Sequence, residues 1–185
     1  MSSTAYVADI PDSREQSGTV TPVATATNSL GRPIKIGGYP AAIAITPDGK
    51  AAYVVSYSPK GTTVTPVATA TNTPGRPIKI SSGFPRAVAI AITPDGRTAY
   101  VVKASARRTT VTPVATATNS PGRPIKIGGI GRLTSRTAIA ITPDGRTAYI
   151  ADGNHRTVIP VSTATNTPGK PIKIGRVPEA IVITN

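Results

Sequence analysis

TVTPVATATN stands at residues 19–28, again at 63–72 and again at 110–119, and a worn copy, TVIPVSTATN, occupies 157–166. Three further segments travel with it. One reads AIAITPDG (42–49), VAIAITPDG (88–96) and TAIAITPDG (137–145), and ends as EAIVITN (179–185). Another reads TAYVAD (4–9), AAYVVS (51–56), TAYVVK (98–103) and TAYIAD (147–152). The last reads GRPIKI at 31–36, 75–80 and 122–127, and GKPIKI at 169–174. Each is short, alternating or β-branched, and bounded by Pro, Gly, Asn or Asp, which predicts a strand. The PDG tripeptide predicts a tight turn: Pro presets φ, Asp bonds back to the chain, and Gly takes positive φ.

The spacings Pro22 to Pro66 to Pro113 to Pro160 are 44, 47 and 47 residues. Four short strands in such a period describe a β-propeller blade. The predicted fold is all-β, with four four-stranded antiparallel blades in one domain over 1–185 and units at about 4–40, 41–87, 88–136 and 137–178. The closing strand, 179–185, is expected to complete the blade that TAYVAD begins. Pro22, Pro66 and Pro113 cannot donate to a ladder, so a break or bulge is expected in the third strand at those positions. The order AIAITPDG, AYVV, TV…TATN resembles the YVTN-type β-propeller repeat over essentially the whole chain, although the tetrapeptide itself reads YVAD, YVVS, YVVK and YIAD here. Closure stays open at this stage. Small Ile, Val and Ala side chains on the strands suit thin blades and a homodimer closing an eight-blade ring. A four-blade monomer and a shortened form of a longer propeller are the other readings.

Composition narrows the chemistry. With 38% hydrophobic and 16% charged residues the chain has folded composition. It contains no Cys and one His, so disulfides, a zinc thiolate site and a cysteine nucleophile are excluded. No apolar run reaches membrane-spanning length. MSSTAYVADIP reads as no signal peptide, which fits a cytoplasmic protein if the chain is complete; the resemblance implies a secreted or cell-surface one instead. A net charge of +13 predicts attraction to polyanions.

Two of the four loop types keep constant length: six residues from the PDG proline to Tyr, and nine from the TVTP proline to the next Gly. The other two vary, and because strand direction alternates they share one face. That variable face comprises 9–18, 56–61, 103–108, 152–156 and the links GGYP, SSGFPR, GGIGRLTSR and GRVPE, where ligand-binding residues are expected. Its candidates are Arg86, Arg107, Arg108, Arg132, Arg136, Arg156 and Arg176, since Arg grips phosphate and carboxylate bidentately. An ordinary solvated rim is the competing reading. Tyr39 and Phe84 precede Pro in equivalent links and read either as a pocket mouth or as core packing. Eight of the 21 basic residues lie in the GRPIKI segments; they read as charges that guard an outer strand against edge pairing, or else as a phosphate-binding belt. Tyr6, Tyr53, Tyr100 and Tyr149 are expected to pack between blades, and Asp48, Asp95 and Asp144 to serve turns.

His155 is the only histidine, so a Ser-His-Asp arrangement or a His-based metal site has nothing else to recruit, and it reads as a surface loop residue. DGNHR (152–156) departs from a calcium loop at Arg156. No metal, cofactor or catalytic residue is expected, and the chain reads as a non-catalytic binding scaffold for an anionic polymer or a protein. A lactonase-like enzyme and a recently amplified repeat without a ligand are the alternatives. Nucleic acid is supported by charge alone.

Overall fold

The computed structural model describes residues 3–10, 17–83, 87–105, 108–128 and 136–184. It divides into two compact units, Met1–Gly83 and Phe84–Asn185. Each unit holds two antiparallel sheets.

In the first unit, β1 (Thr4–Asp9), β2 (Thr19–Ala24), β3 (Ser29–Leu30) and β4 (Ile34–Lys35) form one sheet. The other contains β5 (Tyr39–Ile45), β6 (Ala51–Ser58), β7 (Gly61–Ala68), β8 (Thr73–Pro74) and β9 (Ile78–Ser81). The second unit repeats this plan with β10 (Ala87–Ile92), β11 (Thr98–Ala104), β12 (Thr109–Ala115), β13 (Ser120–Pro121) and β14 (Ile125–Gly128). Its last sheet is β15 (Thr137–Ile141), β16 (Thr147–Asp152), β17 (Thr157–Ser162), β18 (Thr167–Pro168) and β19 (Ile172–Lys173). The four segments read from the sequence supply these strands in the expected order, the fourth segment being divided in two.

That division corrects the expectation for the proline. β2, β7 and β12 run unbroken through Pro22, Pro66 and Pro113, which pair with Tyr6, Tyr53 and Tyr100. The outer strand gives way instead: Gly31–Pro33 separates β3 from β4 opposite Thr21 and Pro22. A strand residue projects its N–H and C=O to the same side. The proline carbonyl faces outward and accepts the Gly31 N–H at 2.7 Å, so its missing donor faces outward too. The inner ladder therefore loses nothing, and the outer strand detours where no N–H is offered. Gly75, Gly122 and Gly169 donate in the same way to Pro66, Pro113 and Pro160 at 2.7–2.8 Å. A Cβ on Gly31 would lie 2.8 Å from the Pro22 ring, which fixes glycine at this crossing.

The constant loops are two turns bonded to each other. In the first, Thr46 Oγ1 donates to Asp48 Oδ1 at 2.6 Å, and the same oxygen accepts the Lys50 N–H at 3.0 Å. Gly49 takes φ 71°. Thr93–Asp95 and Thr142–Asp144 repeat the pattern. In the second, the TATN asparagines Asn28, Asn72, Asn119 and Asn166 take φ of 53–55°, a left-handed conformation that Asn tolerates. Thr69, Thr116 and Thr163 hydroxyls tie the two together by donating to the carbonyls of Gly49, Gly96 and Gly145 at 2.6–2.7 Å.

The Thr hydroxyl first, and the backbone N–H next, hold the Asp48, Asp95 and Asp144 carboxyls below the ordinary aspartate range. A depressed folded pKa contributes stability above the unfolded value and loses it as pH falls through the folded one. The thermal midpoint is thus expected to drop below about pH 4, and to drop less in the triple variant D48N/D95N/D144N, whose amides keep an acceptor but do not titrate. Equal acid slopes would refute this role for the turns.

Within each unit the two sheets meet through small apolar side chains. Val20, Ile34, Ile36, Ala52, Val54 and Val67 form the first core, with Tyr6, Ala8 and Ile43 packed on it. Val102, Val111, Ile125, Ile127, Ala148, Ile150, Ile159 and Val161 surround Tyr100 in the second. Tyrosine and the repeated motif then meet. Tyr6 Oη donates to Asn72 Oδ1 at 2.7 Å and approaches the Thr69 carbonyl at 3.2 Å. Tyr100 Oη does the same to Asn166 at 2.9 Å and Thr163 at 3.3 Å. Asn72 and Asn166 are therefore each both a turn residue and the acceptor for the tyrosine of the preceding sheet.

The closing strand expected at 179–185 is not formed among the described residues. Positions 177–184 belong to no sheet, and β1 pairs only with β2.

Candidate functional site

The expected variable face corresponds to the ends of the sheets where β6, β11 and β16 finish and β7, β12 and β17 start. In the second unit this end gathers charged side chains on a tightly bonded frame. β16 finishes in Asp152, whose side chain is 1% exposed. An Asx turn follows: Asp152 Oδ1 accepts the Asn154 N–H at 3.0 Å, and the Asp152 carbonyl accepts that of His155 at 3.3 Å. The turn brings the imidazole back over the carboxylate, with His155 Nδ1 2.8 Å from Asp152 Oδ2.

The contact is made through Nδ1 and leaves Nε2 on the far edge of the ring. Gly128, at the end of β14, makes room for the pair; a Cβ there would fall 2.6 Å from Asp152 Oδ2 and 3.1 Å from the imidazole. Thr109 lies opposite Gly128 in the ladder, and its hydroxyl is buried with no hydrogen-bond partner among the described residues. His155 lies in a loop, as the sequence implies, and the structure adds its partner: His155 and Asp152 form a hydrogen-bonded pair set by the tight spacing of DGNHR.

Around this pair the main chain is clamped. The Gly153 N–H donates to the Arg136 carbonyl at 3.2 Å, and the Ile174 N–H to the Arg156 carbonyl at 2.9 Å. Arg156 holds φ 56° at the end of the turn and is exposed. The Arg136 guanidinium pairs with Glu179, both side chains being more than half exposed. Arg176 follows β19 and is exposed. On the neighbouring sheet, the Arg108 carbonyl accepts both the N–H and the hydroxyl of Ser105 at 3.0 Å, and Arg108 is exposed. Lys103, near the end of β11, is pushed below the ordinary lysine range by burial.

Of the predicted site residues, Arg108, Arg136, Arg156 and Arg176 therefore lie at one end of the second unit. Arg86, Arg107, Arg132 and Phe84 lie outside the described residues. Tyr39 belongs to the first unit, where it stacks on Tyr57 with ring centroids 5.6 Å apart and an interplanar angle of 27°. It faces Tyr57 across the ladder, so a cross-strand aromatic pair accounts for its position. Tyr57 in turn faces Thr62, and Thr62 faces Ser81. The hydroxyls of Thr62 and Ser81 are buried without hydrogen-bond partners among the described residues, a polar row that no sequence pattern announced. Among the described residues no cluster of three or more His, Asp or Glu side chains suits a metal ion. Nor is any helix there long and apolar enough to cross a membrane.

Solved structures share the fold. Hydrazine synthase of Kuenenia stuttgartiensis is similar with a TM-score of 0.73 and 25% identity, over 84% of this chain and 43% of that one. A functionally unknown protein from Desulfotomaculum acetoxidans DSM 771 gives 0.63 and 23%, over 90% and 53% respectively. The WD40 repeats of RRP9 give 0.57 and 13%, over 72% and 38%. The chain thus spans about half or less of each of these structures. No protein-family model and no curated protein matches it. The likeness to WD40 repeats, with the four repeated antiparallel sheets, supports a propeller-like fold.

Proposed function

We propose that the chain is a non-catalytic binding scaffold of YVTN-type propeller architecture that offers the variable ends of its sheets to an anionic polymer. The observation that carries this reading is the placement of Arg108, Arg156 and Arg176, exposed at one end of the second unit beside main-chain clamps. The opposite end is occupied by turns bonded to each other. Main-chain anchoring of the residues that carry guanidinium groups lowers part of the entropic cost of gathering them on a phosphate or carboxylate. The same reading takes 179–185 as the inner strand of the blade that β1 begins, in one chain or between two. A cytoplasmic and a cell-surface setting both accord with it.

The test is affinity for long-chain polyphosphate at several salt concentrations. Wild type is expected to bind with a steep salt dependence, and R108S/R156S/R176S to lose about tenfold or more. R32S/R76S/R123S, which removes an equal charge from the outer strands, is expected to stay within about threefold of wild type. Equal losses in the two variants would reduce the interaction to net charge. Absence of binding would leave a protein partner or an amplified repeat without a ligand.

The Asp152–His155 pair favours a second reading, a lactonase-like enzyme, because a buried carboxylate orienting an imidazole is a general-base arrangement. Lactone hydrolysis by wild type that His155→Gln abolishes would favour it over the scaffold.

A further inference from the structure

The first and last sheets expose side chains that their counterparts bury. Ile34, Ile36, Ile78, Ile80, Ile125 and Ile127 of the PIKI segments are all less than 10% exposed, whereas Ile172 and Ile174 stand at 49% and 48%. Val7 is 48% exposed, although its equivalents Val54, Val101 and Ile150 are fully buried. The cores state which surfaces belong together. Ile34 and Ile36 are covered by Ala52 and Val54 of the following sheet, and Ile125 and Ile127 by Ala148 and Ile150. By that rule, the Ile172/Ile174 face calls for a surface like that of Ala5 and Val7, and among the described residues each of these surfaces is exposed.

The ladder carries a second vacancy of the same kind. β6, β11 and β16 each have an inner partner, in β5, β10 and β15, while the inner edge of β1 is unpaired among the described residues. Residues 179–184 read EAIVIT, the inner-strand sequence, yet form no strand, and Val182 is 88% exposed. Glu179 at the root of the segment is paired with Arg136 of the same unit.

We propose that two copies of the chain exchange this segment. The Ile172/Ile174 face of one copy packs on the Ala5/Val7 face of the other, and residues 180–184 add to β1 of that second copy as its inner strand. The register follows from Ala42↔Val55, Ile43↔Val54, Ala44↔Tyr53 and Ile45↔Ala52. It sets Ala180 opposite Ala8, Ile181 opposite Val7, Val182 opposite Tyr6 and Ile183 opposite Ala5. A second copy is the occupant because the chain carries both halves of this contact, the Ile172/Ile174 face with its EAIVIT segment and the Ala5/Val7 face with the inner edge of β1, and among the described residues each half is exposed. The contact is head-to-tail, so it closes when each copy gives and receives once. Sheets spaced by Val, Ile and Ala make thin wedges, which suit eight blades better than four. This inference rests on the blade-sharing reading given above.

Because the protein has no cysteine, the test is clean. One chain carries only Val7→Cys and the other, differently tagged, only Ile181→Cys; they are refolded together and treated with a short thiol cross-linker. A covalent heterodimer of twice 18.9 kDa is expected, and Val182→Pro, which removes a ladder donor, is expected to halve the mass measured by light scattering. Cross-linking within a single V7C/I181C chain, with none between the mixed chains, would overturn the exchange but keep blade sharing. No cross-link in either experiment would overturn both.

Discussion

Gly61→Ala is expected to cost about 3–5 kcal/mol of stability, as a large downward shift of the urea midpoint. Gly61 opens β7 after a two-residue turn, and its φ of 136° lies where a side chain is strongly disfavoured. Space is a second, independent obstacle: a Cβ there would sit 2.0 Å from the Ser81 carbonyl oxygen, and backbone cannot swing aside as a side chain can. Gly49→Ala separates the two effects. Its φ of 71° is also positive, but nothing lies within 4 Å of the added carbon, so only the conformational cost of about 1–2 kcal/mol remains. If both variants lost the same amount, the close approach of β7 to Ser81 would have no energetic weight. The contrast also has a bearing on the fold, because Thr62, next in the chain, begins the ladder to β9 with a register shift. Gly61 is what lets the third strand approach the fourth at this end.

What the sequence made legible was local, and what it concealed was distant. The PDG turns follow from three adjacent residues, each with its own physical reason, and Thr46, Asp48 and Gly49 behave as those reasons require. The proline effect was visible but assigned to the wrong strand, since nothing in the sequence says toward which neighbour a strand residue turns its N–H. Tyr6 and Asn72 are 66 positions apart, as are Tyr100 and Asn166. Their bond could be recognised only once one sheet was known to stack on the next. The site divides in the same way. Loop-length variation located the end that carries Arg108, Arg136, Arg156 and Arg176. The Asp152–His155 pair has a signal in the spacing of DGNHR, an Asp that starts a tight turn and a ring three residues on, a pattern that a comparison with calcium loops does not test. That Gly128 of the neighbouring sheet would leave room for the pair was beyond any local pattern.

Tyr100→Ala is expected to destabilise the second unit by about 3–5 kcal/mol, the range for emptying a large aromatic site in a packed core. Tyr100 is 1% exposed and stands among Val102, Val111, Ile150 and Ile159. Its cost has two parts that substitution can separate. Tyr100→Phe keeps the ring and deletes the bonds to Asn166 Oδ1 and the Thr163 carbonyl, for about 1 kcal/mol. Asn166→Ala removes the acceptor and also forces alanine into φ 55°, so about 2–3 kcal/mol is expected, against less for Asn166→Gly, which relieves the backbone. If the hydroxyl and the amide act on each other, the double variant Y100F/N166G will lose less than its two single changes together, by about 0.5–1 kcal/mol. Strict additivity in urea unfolding would mean that the asparagine recurs for its turn alone. A coupling of the expected size would mean that the repeated TATN is selected twice over, once by the turn that it makes and once by the tyrosine of the sheet before it.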